Sequence, residues 1–272
     1  MNHLLRELAP ISERGWQVLD DEARERLAPA LAARRLVDFS GPHGWEHSAT
    51  NLGRTKPLPE GPDGVSALRR RVLPLVELRA DFEVSRAELR DTDRGADDGD
   101  WEALDVAAHR LATAENIAVF QGSKDAMDGI AERSPLKAIT LGSDPGAWTG
   151  PVARAVELLL QSGVGGPYGI ALGSEQYRQL IGTAESGGYP LVEHVRTIVD
   201  GPIVWAPGVE GAAVVSLRGG DFVLDFGQDV SIGYDSHDED VVRLYLEESF
   251  SFHVATPEAA VPLTAGKSRS RP

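Results

Sequence analysis

His43-Gly44-Trp45-Glu46-His47 has the H-x-x-E-H spacing of the inverted zinc proteases. That chemistry needs the motif on a helix, where two imidazoles one turn apart converge on one metal ion. Here Gly41-Pro42 precede the motif and Gly44 sits inside it, which works against a regular helix. The expectation is a loop anchored by an aromatic side chain, with no metal bound. The other chemistry-bearing stretches fare no better. Gly163-Val164-Gly165-Gly166-Pro167-Tyr168-Gly169 puts Tyr168 where a dinucleotide fingerprint needs its third glycine, and Pro167 spoils the helix N-terminus that would hold a pyrophosphate. Gly266-Lys267-Ser268 looks like the end of a P-loop, but Val261 stands at the upstream glycine position and no helix follows. There is no G-x-S-x-G elbow. Asp235, His237, Asp238, Glu239 and Asp240 could be drawn as a metal cluster, but a charge run between two apolar segments reads as a solvated turn. No constellation makes an active site, so the expectation is a protein that is not an enzyme and carries no cofactor.

The elements around these residues follow from periodicity. Leu4, Leu5 and Leu8 have helical spacing before Pro10 stops them. Ser12 is an N-cap for a second helix with Trp16, Leu19, Ala23 and Leu27 on one face, kinked or ended by Pro29. The turn-rich run from Pro57 to Gly64 separates two extended segments. In the second, Leu78, Ala80, Phe82 and Val84 alternate with Arg79, Asp81, Glu83 and Ser85, the pattern of a half-buried strand. A long hairpin with a Pro/Gly tip reads as a projecting arm that finds its partner on another subunit. Further helices carry Leu104 to Ala118, Trp148 to Leu159, the run after Ser174 and the run after Pro190. Short strands are expected at Tyr168–Leu172, Ile203–Trp205, Ala213–Leu217 and Phe222–Phe226, and the last long segment, Val242–Val254, alternates again. The fold class is α+β, one interleaved unit with an arm and a disordered tail from Thr264 to Pro272.

Composition bounds what such a unit meets. Of 272 residues, 27 are Lys or Arg and 42 are Asp or Glu, a net charge of −15 that argues against nucleic acid and anionic membranes as partners. No run of about 18 apolar residues occurs, so no transmembrane helix is expected. The N-terminus lacks the basic and apolar regions of a secretory signal. Cysteine is absent, which excludes disulfides and thiolate metal sites and permits a reducing cytosol.

Several ordered blocks carry a family resemblance. Arg218-Gly219-Gly220-Asp221-Phe222 is followed by Gly227-Gln228-Asp229-Val230-Ser231-Ile232-Gly233-Tyr234. Upstream stand Val37-Asp38, Gly41-Pro42-His43-Gly44-Trp45-Glu46, and Leu73-Pro74-Leu75-Val76-Glu77-Leu78-Arg79-Ala80. From about Leu4 to Leu263 the chain resembles the encapsulins, compartment proteins with the fold of tailed-phage major capsid proteins. The resemblance implies a domain of spine helix and sheet, an apical domain around the symmetry axes, and an extended loop reaching a neighbour. In this sequence that gives residues 1–50 as an N-terminal helical segment joining the shell (peripheral) domain and 51–90 as the arm. Residues 91–134 become the spine helix, 135–217 mainly the apical domain, 218–263 the return strands and 264–272 the tail. It also implies a homo-oligomeric icosahedral shell of about 60 copies or a small multiple. The shell would lie in the bacterial cytoplasm and enclose a dye-decolorising peroxidase or ferritin-like iron oxidase, bound through its C-terminal targeting peptide. The role would be oxidative-stress defence or iron storage. A phage-derived capsid protein and a soluble metallohydrolase are the competing readings.

Two sites follow from the resemblance. The loop Gly182, Thr183, Ala184, Glu185, Ser186, Gly187, Gly188, Tyr189 would line a pore at a symmetry axis, with Glu185 repeated as an acidic ring; an ordinary surface loop is the equal alternative. The cargo peptide would dock at Leu4, Leu5, Leu8, Arg34, Asp38, Ile232 and Tyr234. Some members bind flavin beside a Trp, but Val84-Ser85-Arg86-Ala87-Glu88 offers no stacking partner here, so no flavin is expected.

Overall fold

The computed structural model describes residues 3–184 and 187–265. Ser12 caps the first long helix, its hydroxyl accepting the Gly15 N–H at 2.9 Å. That helix, α1 (Glu13–Ala30), buries Trp16, Leu19, Ala23 and Leu27 and carries Pro29 in its last turn. Among the described residues upstream, a single 3-10 turn, Arg6–Leu8, forms. Leu5 stands in the left-handed region at φ 52°, and Ala9, ahead of Pro10, is extended. The expected helix through Leu4, Leu5 and Leu8 is therefore replaced by a turn, broken at Leu5 by its left-handed backbone and at Ala9 by the proline that follows.

The remaining elements are, in order, β1 (Asp38–Ser40), β2 (Ala49–Pro57), β3 (Leu68–Pro74), β4 (Val76–Ser85), α2 (Arg86–Arg94), α3 (Glu102–Phe120), α4 (Ile130–Arg133), β5 (Ile139–Thr140), α5 (Thr149–Gln161), β6 (Tyr168–Leu172), α6 (Ser174–Gly182), α7 (Leu191–Val199), β7 (Ile203–Trp205), β8 (Ala212–Ser216), β9 (Phe222–His237), β10 (Val241–Val254) and β11 (Ala260–Thr264). They make a four-stranded sheet in the order β1-β9-β10-β4, a five-stranded sheet in the order β5-β11-β8-β6-β7, and the isolated pair β2-β3.

Two cores result. One packs α1 (Trp16, Leu19, Leu27) and α3 (Leu104, Leu111) on β4, β9 and β10 through Phe82, Val84, Ile232, Leu244 and Leu246. The other packs α5 and α7 (Val152, Leu159, Leu191, Val195) on the five-stranded sheet. The far end of α3, with Val119 and Phe120, enters this second core, so one helix spans both lobes. Its many alanines let it lie close to neighbours on more than one side.

Three expected boundaries move. The segment expected as an arm, 51–90, does not form one hairpin: β2–β3 is a separate pair, and β4 pairs with β10 from Val76↔Phe250 to Ser85↔Val241. The alternating face with Ala80, Phe82 and Val84 is thus buried on its own chain. The strand expected to end at Phe226 runs on to His237. Gly227 inside it has no room for a side chain, since Leu75 and the Ser249 hydroxyl both lie 2.7 Å from where a Cβ would be. The pairing of β9 with β10 shifts register at the same place, between Glu247 and Phe250. Finally, β11 leaves the return strands to join β8 and β5 and includes Thr264, so that residue belongs to a strand and not to a tail. The basic residues Lys267, Arg269 and Arg271 lie outside the described residues.

Candidate functional site

Beyond Asp225 the outer edge of β9 has no partner strand among the described residues. The Gly44 N–H bonds the Gly227 carbonyl at 2.7 Å, and further on the Tyr234 N–H bonds the Leu4 carbonyl at 2.8 Å. Between these two anchors Val230, Ser231 and Ile232 open onto a groove of about 380 Å³ against α1. Its walls include Leu4, Ala23, Leu27, Leu31 and Leu246, and its ends carry charge. At one end Arg6 reaches Asp20 at 2.8 Å and lies over the Trp16 ring. At the other stand Arg34 and Asp229.

Arg34 is the most connected cation of the site. Its guanidinium donates to Glu115 at 2.8 Å, to Asp229 at 2.6 Å and to Glu248 at 2.7 Å, and it sits 4.5 Å from the Phe226 ring centre. Glu115 and Glu248 have no exposed surface. Burial pushes both carboxyls above the usual range, most strongly Glu248, and Arg34 offsets only part of this. Burial works against the charge on Arg34 too, but the surrounding carboxylates outweigh it and bind its proton more tightly.

The residues expected to dock a peptide separate. Leu4, Arg34 and Ile232 line the groove. Tyr234 secures its end through the backbone, while its hydroxyl turns to His237 Nδ1 at 2.6 Å. Leu5 is half-buried against the first core, and Leu8 is exposed. Asp38 lies elsewhere: the turn of chain after Arg34 carries it to β1, where it accepts the Gly220 N–H at 2.5 Å and lines a second cleft with Asp221. Sequence reasoning missed Glu115, Asp229 and Glu248. A carboxylate inside the apolar stripe of α3 and another within the apolar β10 were the available signals.

The loop after α6 closes on itself, with Ala184 bridged to Pro190 and the Leu191 N–H on the Thr183 carbonyl at 3.1 Å. Gly188 takes φ +78° and Tyr189 is exposed. Glu185 and Ser186 lie outside the described residues.

The H-x-x-E-H stretch is a loop, as expected, and Glu46 is exposed. Its two histidines nevertheless converge, ring centres 4.7 Å apart, on a residue far along the chain: Asp225 of β9. Burial raises the Asp225 carboxyl, but bonds from Thr50, Ser40 and His43 outweigh that and hold it below the usual range. The charged run after Tyr234 is only partly a turn: Asp235 and His237 belong to β9. The β9–β10 turn is Asp238 to Asp240, where Asp238 takes the Asp240 and Val241 N–H groups and Arg243, which lowers it to about 2.

Comparison with known proteins gives a consistent picture. The Linocin_M18 family model, described as an encapsulating protein for peroxidase, matches residues 1–251. The chain is 47% identical over 270 residues to the type 1 encapsulin shell protein of Rhodospirillum rubrum, covering 97% of this chain and 96% of that one. It is 42% identical over 265 residues to the type 1 encapsulin shell protein of Mycobacterium tuberculosis, covering 97% and 100%. Among solved structures it is similar to a virus-like particle from Pyrococcus furiosus, with TM-score 0.61, 18% identity, and 90% and 98% of the two chains covered. A structure from Mycobacterium phage Bobi gives TM-score 0.54, 12% identity, and 88% and 91% coverage. These two likenesses show the phage-capsid fold.

Proposed function

The chain belongs to the Linocin_M18 family of encapsulating proteins, and from that premise we propose that it builds a closed compartment around a cargo enzyme. It is a structural shell subunit that assembles with its own copies into a capsid-like particle, and not an enzyme. The observation that carries this is the β2–β3 arm. A lone two-stranded hairpin is marginal in water, and this one exposes Leu58, Val65, Leu68 and Val72. Such a strip needs a covering surface, which the next subunit of a shell supplies. In this reading the shell closes with icosahedral symmetry, of about 60 copies or a small multiple.

The groove beside β9 is the cargo site in this reading. An unpaired strand edge over an apolar floor suits an extended peptide, whose backbone adds to the sheet while alternate side chains fill the groove. Weak single sites become effective when many line one lumen. A peroxidase is the cargo that the family description favours, with a ferritin-like iron oxidase as the alternative, bound through a C-terminal peptide. No described helix is long and apolar enough to cross a membrane, and a cytoplasmic compartment fits the absence of cysteine. In this arrangement the loop between α6 and α7 lines a pore at a symmetry axis.

Electron microscopy of the purified protein tests the reading. Hollow particles tens of nanometres across support it; a soluble monomer or small oligomer at micromolar concentration overturns it. Particles filled with nucleic acid would point to a phage capsid instead.

A further inference from the structure

We propose that His43, His47 and Asp225 form a binding site for a divalent transition-metal ion of the zinc type at the root of the arm. His43 Nε2 lies 2.8 Å from Asp225 Oδ1, and His47 Nε2 lies 3.5 Å from Asp225 Oδ2. The three donor atoms all fall within 4.8 Å of one another. Zinc takes imidazole nitrogen and carboxylate oxygen at about 2.0–2.2 Å, which in a tetrahedron places donors about 3.3–3.6 Å apart. One pair, His47 Nε2 with Asp225 Oδ2, already lies at that separation. His43, hydrogen-bonded to the other carboxylate oxygen, would give up that bond, and on an exposed loop it has room to adjust.

An ordinary hydrogen-bond cluster explains His43 but leaves His47 unexplained. His47 Nε2 is buried and has no hydrogen-bond partner, an arrangement proteins generally avoid. It faces Asp225 Oδ2 at 3.5 Å, and a cation between them uses the lone pair that is otherwise wasted. Two imidazoles and a carboxylate form a borderline donor set, suited to Zn²⁺, Co²⁺, Ni²⁺ or Cu²⁺ more than to Mg²⁺ or Ca²⁺. The surrounding shell is in place too. Thr50 of β2 donates to Asp225 Oδ2 and is itself held by Ser251 Oγ of β10 at 2.6 Å, so the carboxylate's partner is fixed in turn. Ser40 Oγ, 3.1 Å from His43 Nε2, is placed to hydrogen-bond a water in the fourth coordination position.

The location gives the site a consequence. His43 and His47 lie on the chain running from β1 into β2, and Asp225 belongs to the four-stranded sheet. A bound ion therefore clamps the base of the arm to the body and limits the directions in which the arm leaves it. This consequence rests on the shell reading; the binding itself does not.

The experiment uses the purified full-length protein, stripped with a chelator, dialysed and titrated with Zn²⁺ while metal content and melting temperature are followed. About one ion per chain is expected, with a melting temperature that rises with Zn²⁺ because the ion binds only the folded form. His43→Ala and His47→Ala should each weaken binding at least about tenfold, while His194→Ala should not. Co²⁺ should give visible absorption from a nitrogen- and oxygen-ligated ion in the wild type and lose it in His47→Ala. The inference is overturned if Zn²⁺ fails to bind at micromolar concentration, or if both histidine variants bind as the parent does. Asp225 is buried, so Asp225→Asn is read only alongside the exposed His43→Ala. Particles that assemble but bind no metal defeat this inference and leave the shell reading intact; metal bound by unassembled chains does the reverse.

Discussion

The Arg34 guanidinium meets the Glu248 carboxylate at 2.7 Å across 214 residues of chain, inside a site where Glu248 has no exposed surface. Glu115, equally buried, takes a second face of the same cation. One positive charge thus serves two buried carboxylates, with Asp229 on the exposed side of the cluster. Removing Arg34 would leave those carboxylates unpaired, at a cost of about 3–5 kcal/mol. Arg34→Met should therefore lower the melting temperature of the protein substantially. Arg34→Met combined with Glu248→Gln should recover part of the loss, because the double variant buries one charge fewer. If the two substitutions simply add, the pairing is not what stabilises the site.

The same pair predicts a pH dependence. Both carboxyls titrate above their unfolded range because burial disfavours their charged forms. A group raised in the folded state contributes stability that is fully present below its unfolded value, near 4.5 for glutamate. That contribution is lost as pH rises through the folded value. Glu248→Gln removes the ionisable group, so its melting temperature relative to the parent should climb as pH is raised from about 4.5 towards neutrality and above. Melting curves at several pH values check this, and a difference independent of pH would show that Glu248 titrates alike in the folded and unfolded protein.

Much of this architecture was legible beforehand because it rests on local pattern. Ser12 caps α1, the small residues of α3 predict its close packing, and the spans of β6 and β7 follow from short apolar runs between turn signals. What was not legible depends on distant contact. That β4 belongs to the sheet and not to the arm is decided by β10, which lies far along the chain. Asp38 and Arg34 are close in sequence, yet the short turn between them sends one to the second cleft and the other to the groove. Asp225 sits in an apolar strand with nothing nearby to mark it as the partner of His43 and His47.

The arm offers a test of assembly separate from folding. Its strands pair only with each other among the described residues, and its exposed apolar side chains make no use of the body. Replacing the tip, Pro57 to Gly64, by a short turn should leave circular dichroism and the melting of the protomer close to the parent. Closed particles should fall sharply in size-exclusion chromatography and electron microscopy. Leu68→Ser should act in the same direction more weakly, since it removes about 1.5–3 kcal/mol of burial per interface. Particles unaffected by both changes would mean that the arm does not bridge subunits.

The groove can be blocked without touching the core. Ala28 lines it from the exposed side of α1, so a larger side chain there occupies groove volume and displaces little of the interior. Ala28→Trp should leave empty particles intact and reduce co-purified cargo, because overfilling a fitted site costs about 1–3 kcal/mol. That corresponds to roughly a 5- to 150-fold loss of affinity per site. Asp38→Ala, by contrast, should leave cargo unchanged, since Asp38 lies in the other cleft and holds the Gly219–Gly220 turn. Quantifying cargo against shell protein on a gel, with the two co-expressed, separates the outcomes. Cargo lost in Asp38→Ala but retained in Ala28→Trp would move the docking site to the second cleft.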